Sequence, residues 1–117
     1  MTYDSDNIFA RILRGEIACE KISEDEYYLA FHDRYPKAPV HVLIIPKGPY
    51  LDAFDFHHRA SSLEIVGFYK GLNAVIEKLQ ISEGYRLIAN SGHHGGQEVP
   101  HYHVHLLAGR KLEKSIV

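Results

Sequence analysis

Apolar and polar positions alternate strictly near the C-terminus, where Tyr102, Val104 and Leu106 are interleaved with His103 and His105. A period of two marks a half-buried strand, and with His101 just ahead the run places three histidines on one predicted face. Successive side chains on that face stand ~6.6 Å apart, from a rise of ~3.3 Å per residue. Elsewhere the period changes. Ile8, Phe9, Ile12 and Leu13 follow helical spacing in a short helix over Asn7 to Arg14, capped by Asp6 or Ser5 and ended by Gly15. Two short strands are predicted near Glu20 to Ser23 and Tyr27 to His32, joined by the acidic turn Glu24-Asp25-Glu26. A proline-bracketed loop, Arg34 to Pro39, leads into Val40 to Ile45, a β-branched apolar run with His41 embedded that Pro46 stops. The longest helix begins at Ser61 or Ser62 and runs to about Leu79, with Leu63, Val66, Leu72, Val75, Ile76 and Leu79 on a broad apolar face. Tyr85 to Ala89 forms another strand, and the loop Asn90 to Gln97 turns back into the histidine strand. Short connections between these elements predict an α+β fold, an antiparallel sheet with the helices on one side.

At 117 residues the chain is expected to form one domain over 1–117, large enough for a real core. A hydrophobic share of 45% and a charged share of 24% are ordinary for a globular protein. The net charge of −2 offers no basic field for nucleic acid or anionic lipid, so any nucleotide would be bound in a pocket. No apolar stretch approaches the ~20 residues of a membrane span. The polar, acidic start Met1-Thr2-Tyr3-Asp4-Ser5-Asp6 argues against a secretory leader, so the expected compartment is the cytoplasm. The lone Cys19 fits that compartment and reads as an inert, partly buried thiol.

Two chemistries fit a strip of histidines. Imidazoles at alternate strand positions can ligate zinc, with His41 or a carboxylate as a further ligand. The chain has no CxxC or HExxH set, however, and three residues in a row spread too far for all to meet one ion. The other chemistry is nucleophilic. A neutral imidazole attacks phosphorus without a base to deprotonate it, provided its second nitrogen is engaged so that the lone pair points at the substrate. Neighbouring imidazoles can then donate to phosphate oxygens and protonate a leaving group. Gly95-Gly96, just before the strip, could turn backbone N–H groups inward as an anion nest. His57, His58, His93 and His94 read as solvated. His41, alone in an apolar strand, is either a satisfied core residue or a partner of the strip.

His101-Tyr102-His103-Val104-His105-Leu106-Leu107 has the His-φ-His-φ-His-φ-φ pattern and resembles the histidine triad (HIT) superfamily. Asn7 to Ile12, Arg14 to Ile17, Ala30 to Asp33, Ala38 to Lys47, Gly84 to Asn90 and Gly95 to Val99 resemble its Hint branch, in the bacterial form. The resemblance implies a HIT-like fold, with about five antiparallel strands, a short N-terminal helix and one long helix. It also implies a purine nucleoside phosphoramidase that cleaves nucleotide–amine and nucleotide–lysine adducts to the nucleoside monophosphate. On that reading His103 is the nucleophile and His105 binds the phosphate and helps the leaving amine. His101 orients the nucleophile, with His41 behind it. Asn90, Gly96, Gln97, Glu98 and Val99 match the phosphate-side segment, and Asp33 matches the holder of the ribose hydroxyls, flanked by His32 and Arg34. Ile8, Phe9, Ile12, Phe31 and Leu43 match the apolar slot for the purine. The resemblance further implies a homodimer, which would account for the apolar long helix. It implies no cofactor and no metal, because the N-terminal cysteine pair that binds zinc in some relatives is absent. Arg34 and Glu98 depart from residues common in the branch, and Pro100 removes a backbone donor just before the triad. Two alternatives stand beside this reading. One is a dinucleoside polyphosphate hydrolase of the Fhit type, and the other a nucleotide-binding or interaction module whose catalysis is incidental.

Overall fold

The computed structural model describes residues 2–114. In chain order the elements are α1 (Ile8–Leu13), β1 (Lys21–Glu24), β2 (Tyr28–His32), β3 (Val40–Pro46), α2 (Ala53–Arg59), α3 (Ser62–Leu79), β4 (Arg86–Ile88) and β5 (Val104–Ala108). The strands form one antiparallel sheet in the order β1-β2-β3-β5-β4. This is the α+β arrangement expected from the sequence, and the central position of β3 explains its apolar run from Val42 to Ile45. Its Val42 and Ile44 face one side of the sheet and Leu43 and Ile45 the other, and all four are buried.

Those two faces carry different cores. Val42, Ile44, Val104 and Leu106 pack beneath Phe56 of α2 and Phe68, Leu72 and Val75 of α3. Leu29, Phe31, Leu43 and Ile45 pack on the opposite face against Phe9, with Ile12 and Leu13 beside it. The helices therefore do not share one side as the sequence suggested: α1 lies alone on the far face. Its cap is Asn7, not Asp6 or Ser5; the Asn7 Oδ1 accepts from the Ala10 N–H at 2.9 Å. The helix α2 was not anticipated. It is only seven residues long, and its Phe54 is exposed while Phe56 is fully buried, which blurs any amphipathic period.

The long helix α3 begins as its capping signals require. Ser61 accepts from the Glu64 N–H and the Glu64 carboxylate accepts from the Ser61 N–H, so two otherwise orphaned donors are satisfied. Gly71 sits where α3 presses on β2, and a Cβ there would overlap the Tyr28 ring. No helix among the described residues is long and apolar enough to cross a membrane.

Candidate active site

Site geometry begins with the register of two strands. Leu43 lies opposite His105 and His41 opposite Leu107, so His41 and His105 are diagonal neighbours on the face that carries α1. Their rings meet: His41 Nε2 is 2.9 Å from His105 Nδ1. The antiparallel register thus carries His41 towards the far end of the strip, away from His101, and the expected contact behind His101 is replaced by one with His105.

The strip itself is strand only in part. Pro100 has no N–H, and the His101 N–H closes a tight turn onto the Val99 carbonyl at 2.9 Å, so regular pairing starts at Val104. The three imidazoles consequently differ in depth. His101 is fully buried, His103 is 5% exposed, and His105 is partly open to solvent. The His103 and His105 rings lie 5.1 Å apart, and Phe9 meets the His103 ring edge-on at 5.0 Å.

Backbone groups determine the tautomers. A carbonyl can only accept, so the His101 carbonyl 2.7 Å from His103 Nδ1 places the proton there and leaves His103 Nε2 with a free lone pair. An amide N–H can only donate. The Lys37 N–H, 2.9 Å from His41 Nδ1, therefore requires the His41 proton on Nε2, from which it is donated to His105 Nδ1. His105 is left with its proton on Nε2. His101 donates Nε2–H to the Pro46 carbonyl at 3.0 Å and accepts at Nδ1 from the Tyr3 hydroxyl at 2.6 Å. Each ring is thus assigned one proton by neighbours whose roles cannot be reversed.

Burial keeps all four neutral. It pushes His101 and His105 down to about 4, His105 being depressed further by His103 and His41, and it also lowers His103 and His41. The Asp33 carboxylate lies 3.4 Å from His41 Nε2 and favours the charged form, but desolvation outweighs it, so the contact is not an ion pair at neutral pH.

A cleft of about 480 Å³ opens over this face. Among the residues singled out from the sequence, Phe9, Asp33, His41, Leu43, Asn90, Gly96, Glu98, Val99, His103 and His105 line it. Others stand outside its wall. Phe31 backs Phe9 at 5.7 Å between ring centroids, Ile12 packs in the second core, and Ile8 is 41% exposed. His32 and Arg34 are exposed, and His101 lies beneath the floor. Gln97 acts as a brace: its side-chain amide donates to the Leu51 and Val99 carbonyls and its oxygen accepts from the Gly92 N–H. The loop is not an open nest at these positions, because the Gly96 and Gln97 N–H groups are spent on the His93 and Gly92 carbonyls. Gly96 does need its freedom, with φ of +76°.

Four lining residues were missed: Tyr35, Lys37, Ile88 and Leu107. The signal was available as alternation. Asp33, Tyr35 and Lys37 recur every second residue, Leu107 follows His105 on the same face, and Ile88 pairs with His105 across the sheet.

Asp33, His41 and His105 each offer a ligand-type atom, all within 4.8 Å of one another. The donor set does not suit a divalent ion as it stands. With Lys37 N–H on its Nδ1, His41 holds a proton on Nε2 and has no lone pair free there. The arrangement is suited instead to attack by His103 and hydrogen-bond donation by His105.

Comparison with known proteins agrees with this geometry. Residues 14–112 match the family model described as HIT domain. A 13.2 kDa HIT-like protein of Azospirillum brasilense is 52% identical over 112 residues, covering 95% of this chain and 92% of its own. The solved structure of a histidine triad protein from Clostridium difficile superposes with a TM-score of 0.85 at 38% identity, covering 97% of this chain and 99% of that one. A HIT family hydrolase from Legionella pneumophila gives a TM-score of 0.82 at 39% identity, covering 91% and 95%. With the triad pattern, the five-stranded sheet and matches along nearly its whole length, the chain belongs to the HIT family.

Proposed function

We propose that this protein is a nucleotide hydrolase that cleaves the P–N bond of purine nucleoside 5′-phosphoramidates through a covalent nucleotidyl-histidine on His103. The observation that carries the proposal is the His103 Nδ1–H donated to the His101 carbonyl, which leaves Nε2 unprotonated beside the cleft. Neighbours described as HIT family hydrolases from Legionella pneumophila and Clostridium thermocellum support the reaction class.

In the proposed reaction the His103 Nε2 lone pair forms a bond to the α-phosphorus as the P–N bond breaks. The departing amine takes a proton from water in the cleft, while the Nε2–H of His105 donates a hydrogen bond to the phosphoryl oxygen that gains charge. The hydroxide so formed attacks the same phosphorus, and the P–N bond to His103 breaks, returning the lone pair to His103 Nε2 and releasing the nucleoside monophosphate. Phe9, Leu43 and Val99 offer an apolar wall to a purine, with Phe31, Ile8 and Ile12 supporting α1. Asp33 is suited to the ribose hydroxyls, and Asn90, Gly96 and Glu98 to the phosphate side, with Gln97 bracing their loop. In a second reading the leaving group carries further phosphates, as for a Fhit-type dinucleoside polyphosphate hydrolase, which Lys37 in the cleft wall would favour.

We further infer a cytoplasmic homodimer. Leu63, Val66 and Tyr69 of α3 are 66%, 50% and 36% exposed, and Leu87 on the three-residue edge strand β4 is 44% exposed, which is apolar surface a partner copy would cover. For the chemistry, the test is an acid-free denaturing quench during turnover of a nucleotide-labelled phosphoramidate. Label should remain on the parent protein and be absent from His103→Ala; turnover by His103→Ala at the parent rate would overturn the assignment. Relative kcat/KM on phosphoramidates and diadenosine polyphosphates separates the two substrate readings.

A further inference from the structure

We infer that Tyr3, at the far N-terminal end of the chain, is a positioning residue for the nucleophile and acts through His101. The inference rests on the nucleotidyl-histidine reading of His103 above, and on three linked contacts. The Tyr3 hydroxyl lies 2.6 Å from His101 Nδ1, a contact across 98 residues of sequence. His101 Nε2 lies 3.0 Å from the Pro46 carbonyl, and the His101 carbonyl receives the Nδ1 proton of His103 at 2.7 Å.

His101 does not line the cleft, so it cannot touch substrate directly. Its influence must pass through its carbonyl, which sets both the tautomer and the aim of the His103 ring. That carbonyl is only as fixed as the residue carrying it. The backbone here has left regular strand pairing, so the side chain supplies the anchorage, gripped at both ring nitrogens. Pro46 holds Nε2 from the end of β3, and Tyr3 holds Nδ1 from the segment preceding α1. Without the Tyr3 hydroxyl, a fully buried acceptor would lose its partner, and the Pro46 carbonyl alone would be left to hold the ring.

Tyr3 is itself held for this task. Its ring meets His101 edge-on at 5.7 Å. The Asn7 N–H closes a turn onto the Asp4 carbonyl at 3.2 Å, and the Asn7 side chain donates to the same carbonyl at 2.7 Å while capping α1. Burial raises the phenol's pKa, so at neutral pH it is a proton donor. The helix that bears Phe9 and the residue that grips His101 therefore belong to one continuous N-terminal unit.

The test uses the full-length chain with Tyr3→Phe, which keeps the ring and removes only the hydroxyl. On an adenosine 5′-phosphoramidate of a fluorescent amine, kcat should fall about tenfold, the worth of one good buried hydrogen bond, with KM unchanged within twofold. A purely structural role would instead reduce the folded fraction, and the loss would vanish on correction for it. A kcat within twofold of the parent, or a loss accounted for by unfolding, overturns the inference. A second readout does not depend on turnover. Imidazole ¹⁵N spectra of the parent should show His101 protonated at Nε2 with Nδ1 a hydrogen-bonded acceptor, and Tyr3→Phe should shift the Nδ1 resonance. An unmoved His101 signal would overturn the tie to Tyr3 whatever the enzyme's substrate. Failure of the parent to form nucleotidyl-histidine would instead overturn the function proposed above, leaving the spectra to judge Tyr3.

Discussion

His101 makes acid sensitivity a measurable property of the fold. Burial pushes this residue from its ordinary 6.5 down to about 4, so below pH 6.5 the unfolded chain binds a proton that the native chain refuses. Its contribution to stability is whole above about pH 6.5 and is lost progressively as the pH falls towards 4. At pH 4.5 the unfolded state gains about 2.5 kcal/mol from this one group, taking two units of protonation at ~1.36 kcal/mol each and allowing for partial native protonation. His101 is fully buried, so solvent screening does not reduce the figure. Replacing it with glutamine keeps a donor for the Pro46 carbonyl and an acceptor for Tyr3 but cannot titrate. Urea denaturation of parent and His101→Gln at pH 7.5 and 4.5, at one protein concentration, isolates the effect. Whatever the variant's stability at pH 7.5, its loss on acidification should be smaller than the parent's by about 2.5 kcal/mol. Glu24 and Asp55, whose carboxyls are held down to about 2 by Lys21 and Arg59 respectively, weaken the fold in acid too, but equally in both proteins. Equal losses in parent and variant would refute the claim that His101 is held neutral by burial.

Gly71→Ala sets helix propensity against packing. Alanine gains about 1 kcal/mol in a helix interior, but overlap of its Cβ with the Tyr28 ring should cost more, for a net destabilisation of ~1–2 kcal/mol by urea midpoint. His41→Ala removes the acceptor of the Lys37 N–H and the donor to His105 together. It should cost about 2–3 kcal/mol of stability by denaturation and, with the His105 tautomer no longer imposed, about tenfold or more in kcat.

How legible each part was depended on whether the signal is local. The capping box of Ser61 and Glu64 and the alternation Val104, Leu106, Ala108 are properties of neighbouring residues, and the elements they predict are present. The partner of His41 is not a local property. It follows from which residue of β5 lies opposite which residue of β3, and a different register would have sent His41 to another imidazole. Pro100 signalled an interruption, yet only the fold shows that it sinks His101 beneath the cleft while His105 stays partly open. Tyr35 and Lys37 went unnoticed because a loop with two prolines hides its period-two pattern, and Tyr3 because its partner is 98 residues away. The side of the sheet that α1 would choose was equally non-local: Phe9 and Ile12 announce an apolar face, not its destination.

The run of contacts from the Lys37 amide through His41 to His105 has an end that is chemically closed. An amide N–H neither surrenders its proton nor takes another at neutral pH, so nothing can be conducted along these imidazoles into the protein or out through its far side. The chain is a blind alley, with His105 Nε2 as its one open door. A neutral imidazole that surrendered its proton there would be left an anion, so in the proposed reaction His105 offers its Nε2–H only as a hydrogen bond, and the proton for the departing amine comes from water. The two halves of the cycle would then be joined by a single water, which yields its proton to the first and its oxygen to the second.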